Sequence, residues 1–249
     1  MSKYFIKSNA KINISLNITG KTKQLHKIES IVVFAMLHDK IFIKKINSKK
    51  NDISFLGKFS KNIGKDNTVS KLLRVLENEK LLKNKKFRIK IYKNIPSKAG
   101  LGGGSMNAAS ILKYFLKRKI IKIKKKKIVK VCKHIGSDVI LGLNSSHLVL
   151  TSGNKIKNFK IKKKIYILII KPNFGCDTKE IYSKVKKFNK LKFSKPNKKM
   201  FEMNFLKKTT NDLENIVFSK YPKLKSIKLY LENYLNPVFV RMSGSGSSL

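Results

Sequence analysis

The chain has 249 residues, enough to bury a substantial core as one large domain or two small ones, with 41% hydrophobic and 29% charged residues. Lys+Arg number 58 against 13 Asp+Glu, a formal net charge of +45, which raises a nucleic-acid or membrane reading. Against it, arginine, whose bidentate fork nucleic-acid readers favour, stands only at Arg74, Arg88, Arg118 and Arg241, and the apolar run Ile165 to Ile170 is only strand-sized. Lys, Ile and Asn are abundant together throughout and share A- and T-rich codons, so the charge reads as compositional drift whose field can still draw in a polyanionic small molecule. Neither nucleic acid nor membrane is expected as a partner. Cys132 and Cys176 form no metal spacing and no disulfide framework. The N-terminus carries neither a signal-peptide apolar region nor an arginine-rich transit segment. The expected location is the cytoplasm, of bacterial type.

From Tyr4 to Ile18, apolar residues at Ile12, Ile14, Leu16 and Ile18 alternate with Lys11, Asn13, Ser15 and Asn17, a half-buried strand with a polar face. Thr19-Gly20-Lys21 turns the chain, and Ile31 to Ile43 is a second strand, broken near His38-Asp39, so that the two form a long hairpin. A short strand is expected around Ile53 to Leu56. Asp66 or Asn67 can cap a helix through Val69, Leu72, Leu73 and Leu76. Phe87 to Lys93 alternates as a strand, and Ala108 to Leu116 is dense in helix formers.

Between them lies Pro96-Ser97-Lys98-Ala99-Gly100-Leu101-Gly102-Gly103-Gly104-Ser105-Met106. Four glycines in five positions, Gly100 to Gly104, let backbone N–H groups turn inward and approach a ligand. The helix start adds unpaired donors and the positive end of its dipole. Strand, glycine loop and helix together make an anion site, and phosphate is the usual anion. A Walker A loop would end in Gly-Lys-Ser/Thr, and a dinucleotide fingerprint would place glycine where Ser105 stands. A protein-kinase glycine loop would lie between two strands.

Further on, Lys117 to Lys127 is lysine-dense, with helices and a solvated basic surface expected around it. Gly136-Ser137-Asp138-Val139 opens a new segment. His147 to Thr151 and Ile165 to Lys171 read as strands, and Thr178 caps a short helix through Ile181 and Tyr182. Residues 186–200 read as a mobile basic loop. Helices follow near 211–219 and 223–235, then a strand from Pro237 to Met242 and a second glycine-serine loop from Ser243 to Leu249.

Three stretches in order, Asn9-Ala10-Lys11-Ile12-Asn13-Ile14-Ser15-Leu16, the glycine loop, and Val240-Arg241-Met242-Ser243-Gly244-Ser245-Gly246, resemble the three motifs of the GHMP kinases of small molecules. Asn17 to Ile31, with His26, and Gly136 to Val139 resemble the branch of that family whose acceptor alcohol carries a cytidine diphosphate. The resemblance covers nearly the whole chain. It implies an α+β, two-domain GHMP kinase fold: a ribosomal protein S5 domain 2-like N-terminal domain over 1–155, and a ferredoxin-like C-terminal domain over 156–249. The motif order leaves out the helix and strands with which the family's second domain finishes, so that domain is expected to be cut short. ATP and acceptor are expected to bind between the domains.

The resemblance further implies ATP and Mg²⁺ as cofactors and a diphosphocytidyl-methylerythritol as the small-molecule substrate, phosphorylated on its 2-hydroxyl in non-mevalonate isoprenoid synthesis. Asp138 takes the place of the family's catalytic aspartate and Lys11 stabilises the transferring phosphoryl. Residues 96–106 hold the triphosphate, with Ser105 on a phosphate or Mg²⁺. Asn13, His26, Thr178, Tyr182, Ser243, Gly244 and Gly246 fall in the acceptor-binding stretches, His26 and Tyr182 at the cytosine. The chain departs from the pattern at Leu25, where a Tyr is frequent, at Met106, where a second Ser is usual, and at Ile140, where a Pro is usual. The assembly expected is a monomer or homodimer. The rivals are another GHMP kinase with a smaller alcohol, and an inactive relative that binds anions or RNA through its lysines.

Overall fold

The computed structural model describes residues 5–23, 25–144, 146–153, 155–162 and 164–249. Tyr4, the expected start of the first strand, lies outside the described residues. The chain divides by contact into two units interleaved along the sequence, one of residues 1–11, 35–96 and 102–145, the other of 12–34, 97–101 and 146–249. The strands β1 (Ile6–Lys21) and β2 (His26–Ile46) pair with each other and contribute to both units.

In the first unit, β3 (Asp52–Leu56) is followed by α1 (Thr68–Asn78), β4 (Lys86–Tyr92), α2 (Gly103–Lys117), α3 (Lys125–Ile135) and α4 (Val139–Gly142). The end of β2 pairs antiparallel with β4, with Lys40 opposite Tyr92, and β4 pairs parallel with β3. Asn67 caps α1 through a reciprocal box: its side chain accepts from Val69 and Ser70 N–H, and the Ser70 hydroxyl accepts from Asn67 N–H. The apolar side of β4 (Phe87, Ile89, Ile91) and the stripe Val69, Leu72, Leu73, Leu76 of α1 bury against Ile111, Leu112 and Phe115 of α2. Burial of side chains this size stabilises by roughly 1.5–3 kcal/mol each. This core sets where α2 begins.

In the second unit, β5 (His147–Leu150) pairs antiparallel with β2 through Ser30 to Val32 and with β6 (Ile156–Phe159) on its other side. A 3₁₀ turn at Lys198–Phe201 and the helices α5 (Thr178–Ser183), α6 (Met203–Lys208), α7 (Glu214–Lys220) and α8 (Pro222–Tyr234) complete it. Leu16, Ile18, Ile181, Leu213, Val217, Leu224 and Met242 form its core.

Four expectations change. β2 runs unbroken past His38 and Asp39, because Asp39 turns inward and every donor it needs is supplied there. Residues 165–171 and 237–242 are not ladder strands. Ile170 exchanges backbone hydrogen bonds with Leu249, while Met242 N–H donates to the Glu214 carboxylate at 2.7 Å and Ser243 N–H to the Ser248 carbonyl, so these groups find partners outside a ladder. Asp177 rather than Thr178 caps α5, because its carboxylate reaches Glu180 N–H at 3.0 Å. The stretch from Asn189 to Phe193 is tied down, with Phe193 1% exposed. Among the described residues no helix is long and apolar enough to cross a membrane.

Candidate active site

Lys11 projects from β1 with 5% of its surface exposed, and its Nζ lies 3.0 Å from Asp138 Oδ2. Asp138 occupies the N-cap position of α4, yet its side chain makes no capping bond there. The carboxylate points to Lys11 instead and stays about a third exposed, at 31%, so a reacting group can still reach it. Gly102, at φ 66°, packs against the Lys11 stem: a Cβ built there would stand 3.1 Å from Lys11 Cε. Backbone in that left-handed region is disfavoured for other residues, so glycine meets both demands.

Gly102 is also the N-cap of α2. Met106 N–H is the first to find an intrahelical carbonyl, that of Gly102 at 2.8 Å, so the N–H groups of Gly103, Gly104 and Ser105 have no carbonyl one turn back. Together with the dipole of a 15-residue helix they favour an anion. A Cβ on Gly104 would meet Thr68 Oγ1 at 2.9 Å, and one on Gly136, in the turn before Asp138, would lie 3.9 Å from Ser105 Oγ. Met106 is 2% exposed and its sulfur packs against Gly142 of α4. At this position a core contact stands in place of a second hydroxyl.

In the second unit the three motifs meet at one hydroxyl. Ser243 Oγ accepts from Asn13 N–H at 3.1 Å and donates to the Gly100 carbonyl at 3.0 Å, while Asn13 Nδ2 donates to Ser30 Oγ at 2.7 Å. Asn211 Nδ2 donates to the Met242 and Gly244 carbonyls, which shapes the turn at Gly244 (φ 59°). Ser248 N–H donates to Ala99 O at 3.2 Å, and Cys176 N–H to the carbonyl of Lys98, whose φ is 54°. Leu101 is 1% exposed, whereas Ser97 is exposed and Pro96 half-buried. Gly100 and Gly246 lie backbone to backbone: a methyl group on Gly246 would collide with the Gly100 nitrogen and the Ala99 carbonyl carbon. We expect Gly246→Ala to lose stability at the upper end of the about 1–3 kcal/mol typical of overpacking. Gly64→Ala, where nothing lies within 4 Å, should be near neutral. Urea midpoints at constant m-value check both.

His26 stacks obliquely with Tyr182, ring centroids 5.2 Å apart, and lies 6.3 Å from the Phe188 ring. Its Nε2 is buried and has no hydrogen-bond partner among the described residues. Burial, with Lys21 adding to it, pushes the imidazole below its ordinary range, which favours the neutral ring. Thr178 Oγ1 accepts from Ser245 Oγ at 2.8 Å. Leu25 is 62% exposed.

Two residues under the glycine turn, Asp39 and Lys93, were missed in the sequence. Asp39 is fully buried and accepts from Asn94 N–H at 2.7 Å, Ile95 N–H at 2.8 Å and Asn107 Nδ2 at 2.9 Å, and it pairs with Lys93 Nζ. It thereby ties the end of β4 and the first turns of α2 to β2. Burial pushes the Lys93 ammonium below its ordinary range, with Asp39 pulling the other way. Lys93 Nζ would stand 3.2 Å from a Cβ on Gly103, so the pair lies directly under the glycine turn. The one signal available was a carboxylate inside the apolar run of β2.

Residues 67–150 match the family model described as the GHMP kinases N terminal domain, which sets the class. A 4-diphosphocytidyl-2-C-methyl-D-erythritol kinase of Pelagibacter ubique is 57% identical over 249 residues, 100% of this chain and 89% of the relative. The protein of the same name from Fusobacterium nucleatum is 33% identical over 100% of this chain and 87% of its own length. The chain belongs to the GHMP kinases, in the branch of the 4-diphosphocytidyl-2-C-methyl-D-erythritol kinases. A solved structure of 4-(cytidine 5'-diphospho)-2C-methyl-D-erythritol kinase has a TM-score of 0.73 at 21% identity, covering 98% of this chain and 88% of that one, which shows the same fold.

Proposed function

We propose that this chain transfers the γ-phosphoryl group of ATP to the 2-hydroxyl of 4-diphosphocytidyl-2-C-methyl-D-erythritol, a step of non-mevalonate isoprenoid synthesis. The observation that carries the reading is the pair of Lys11 Nζ and Asp138 Oδ2, 3.0 Å apart, with the carboxylate partly open and Gly102 packed on the lysine. Asp138 accepts the proton of the acceptor hydroxyl as its oxygen bonds to the γ-phosphorus and the bond to the β-γ bridging oxygen breaks, releasing ADP. Lys11 stabilises the charge on the transferring phosphoryl. The N–H groups at the start of α2 orient the triphosphate.

Among the described residues there is no group of three or more His, Cys, Asp or Glu side chains that could hold a metal. That fits Mg²⁺ carried mainly by phosphates and water, with the Ser105 hydroxyl as a protein oxygen donor and charge neutralisation as its contribution. The buried His26 Nε2, without a hydrogen-bond partner among the described residues and beside Tyr182, supports recognition of a cytosine edge with an aromatic face against the ring. A mevalonate or homoserine kinase has no base to hold there.

The test is ADP release from Mg-ATP by the purified chain, with the diphosphocytidyl acceptor, mevalonate or homoserine supplied in turn. We expect release that depends on the diphosphocytidyl acceptor alone. Release with mevalonate or homoserine instead would move the chain to another acceptor class. RNA retention that falls steeply with salt, without turnover, would favour a binding protein.

A further inference from the structure

We infer that Glu29 is a positioning residue for the nucleobase pocket, and that Phe188 is a wall of that pocket held in place through it. The inference rests on the cytosine reading above. Glu29 lies on β2 and is fully buried. One carboxylate oxygen, Oε2, accepts from Lys192 N–H at 2.7 Å, Phe193 N–H at 3.2 Å and Asn17 Nδ2 at 3.0 Å. Asn17 Nδ2 donates in turn to the Lys190 carbonyl at 3.0 Å, and Asn189 N–H to the Ile18 carbonyl at 2.8 Å. Thus the backbone from 189 to 193 is bonded to β1 and β2 at four of its five residues, and Phe193 is sunk into the fold at 1% exposure.

The residue just before this pinned stretch is Phe188. Its ring stands 6.3 Å from His26 at an angle of 50°, on a pocket where Tyr182 lies 5.2 Å from His26 and His26 Nε2 has no hydrogen-bond partner among the described residues. Phe188 stays 47% exposed although its neighbours are tied down. A fully buried carboxylate is an expensive way to anchor a loop; three fixed donors converge on Oε2, while Oε1 is buried with no hydrogen-bond partner among the described residues. Here it fixes where an exposed aromatic ring stands beside a buried imidazole nitrogen that has no hydrogen-bond partner among the described residues. A flat, uncharged heteroaromatic ring is the chemistry that two aromatic side chains and a neutral histidine take.

Calorimetry with cytidine 5'-diphosphate and steady-state kinetics of the full chain test this. Phe188→Leu should weaken cytidine 5'-diphosphate binding and raise the acceptor KM by about 10-fold, the scale of one lost base stack. Its kcat and ATP KM should stay within about twofold, since Lys11, Asp138 and the start of α2 are all left unchanged. Glu29→Ala should give the same split, Glu29→Gln should restore part of it, and Glu29→Ala with Phe188→Leu should be no worse than either alone, because both act on one contact. A lower Tm with both KM values moved equally would overturn the positioning role, as would unchanged cytidine 5'-diphosphate affinity in Phe188→Leu. The latter decides even if Glu29→Ala fails to fold. No binding by the wild-type chain would overturn the cytosine reading itself, whereas wild-type binding left intact by Glu29→Gln and Phe188→Leu would overturn the positioning role alone.

Discussion

Asp138→Asn is expected to lower kcat for the diphosphocytidyl acceptor by about 10² to 10⁴-fold, the usual contribution of a positioned general base. The amide keeps the size and the oxygen that faces Lys11 but cannot take the acceptor proton. The fold should survive, because the side chain caps nothing in α4 and is 31% exposed. The ATP KM should change little, since the N–H groups at the start of α2 do not depend on this carboxylate. Lys11→Met should lower kcat as well and, being the buried member of the pair, should also lower Tm. Stopped-time ADP release with the thermal melts alongside separates the two effects. Wild-type turnover in Asp138→Asn would remove this residue as the base and leave it an orienting role at most.

Asp39→Ala is expected to be the most destabilising single change in the first unit. It leaves Lys93 buried as an uncompensated charge, at 4% side-chain exposure, and strands the N–H groups of Asn94 and Ile95. Removing one member of a buried pair is destabilising by about 3–5 kcal/mol. In a chain of this size that is a drop in Tm of roughly 10 °C. Adding Lys93→Met to Asp39→Ala should recover part of the loss, since the stranded charge is gone while the two backbone donors remain unpaired. The same substitutions should raise the ATP KM, because Asp39 also holds Asn107 of α2 at 2.9 Å and Lys93 lies under Gly103. Melting curves for the two single variants and the double give the coupling directly. A change below about 1 kcal/mol for Asp39→Ala would mean the pair is hydrated rather than buried.

The sequence alone determined the glycine loop, its strand and its helix, while the resemblance to the GHMP kinases singled out Lys11, Asp138 and the third loop at Ser243 to Gly246. The first three follow from demands that are local in the chain: alternation for a strand, absent Cβ atoms for close backbone approach, helix formers for a helix. The same locality identified α1 and its cap, down to a choice between Asp66 and Asn67 that the reciprocal bonds to Ser70 decide. It failed where backbone groups find partners outside the ladder that alternation implies, as at 165–171 and 237–242. It failed too at 186–200, where a lysine-rich composition reads as a mobile loop but Asn17, Ile18 and Glu29 bind the middle of it. Only the tertiary structure brought Asp39 to Lys93, Glu29 to the backbone of Lys192 and Phe193, and Phe188 to His26. Asp39 meets Lys93 across 54 positions and Glu29 meets Lys192 across 163, and no periodicity or spacing within a strand encodes a partner that far away. A buried carboxylate is paired or excluded by its surroundings, and those surroundings exist only once the chain has folded.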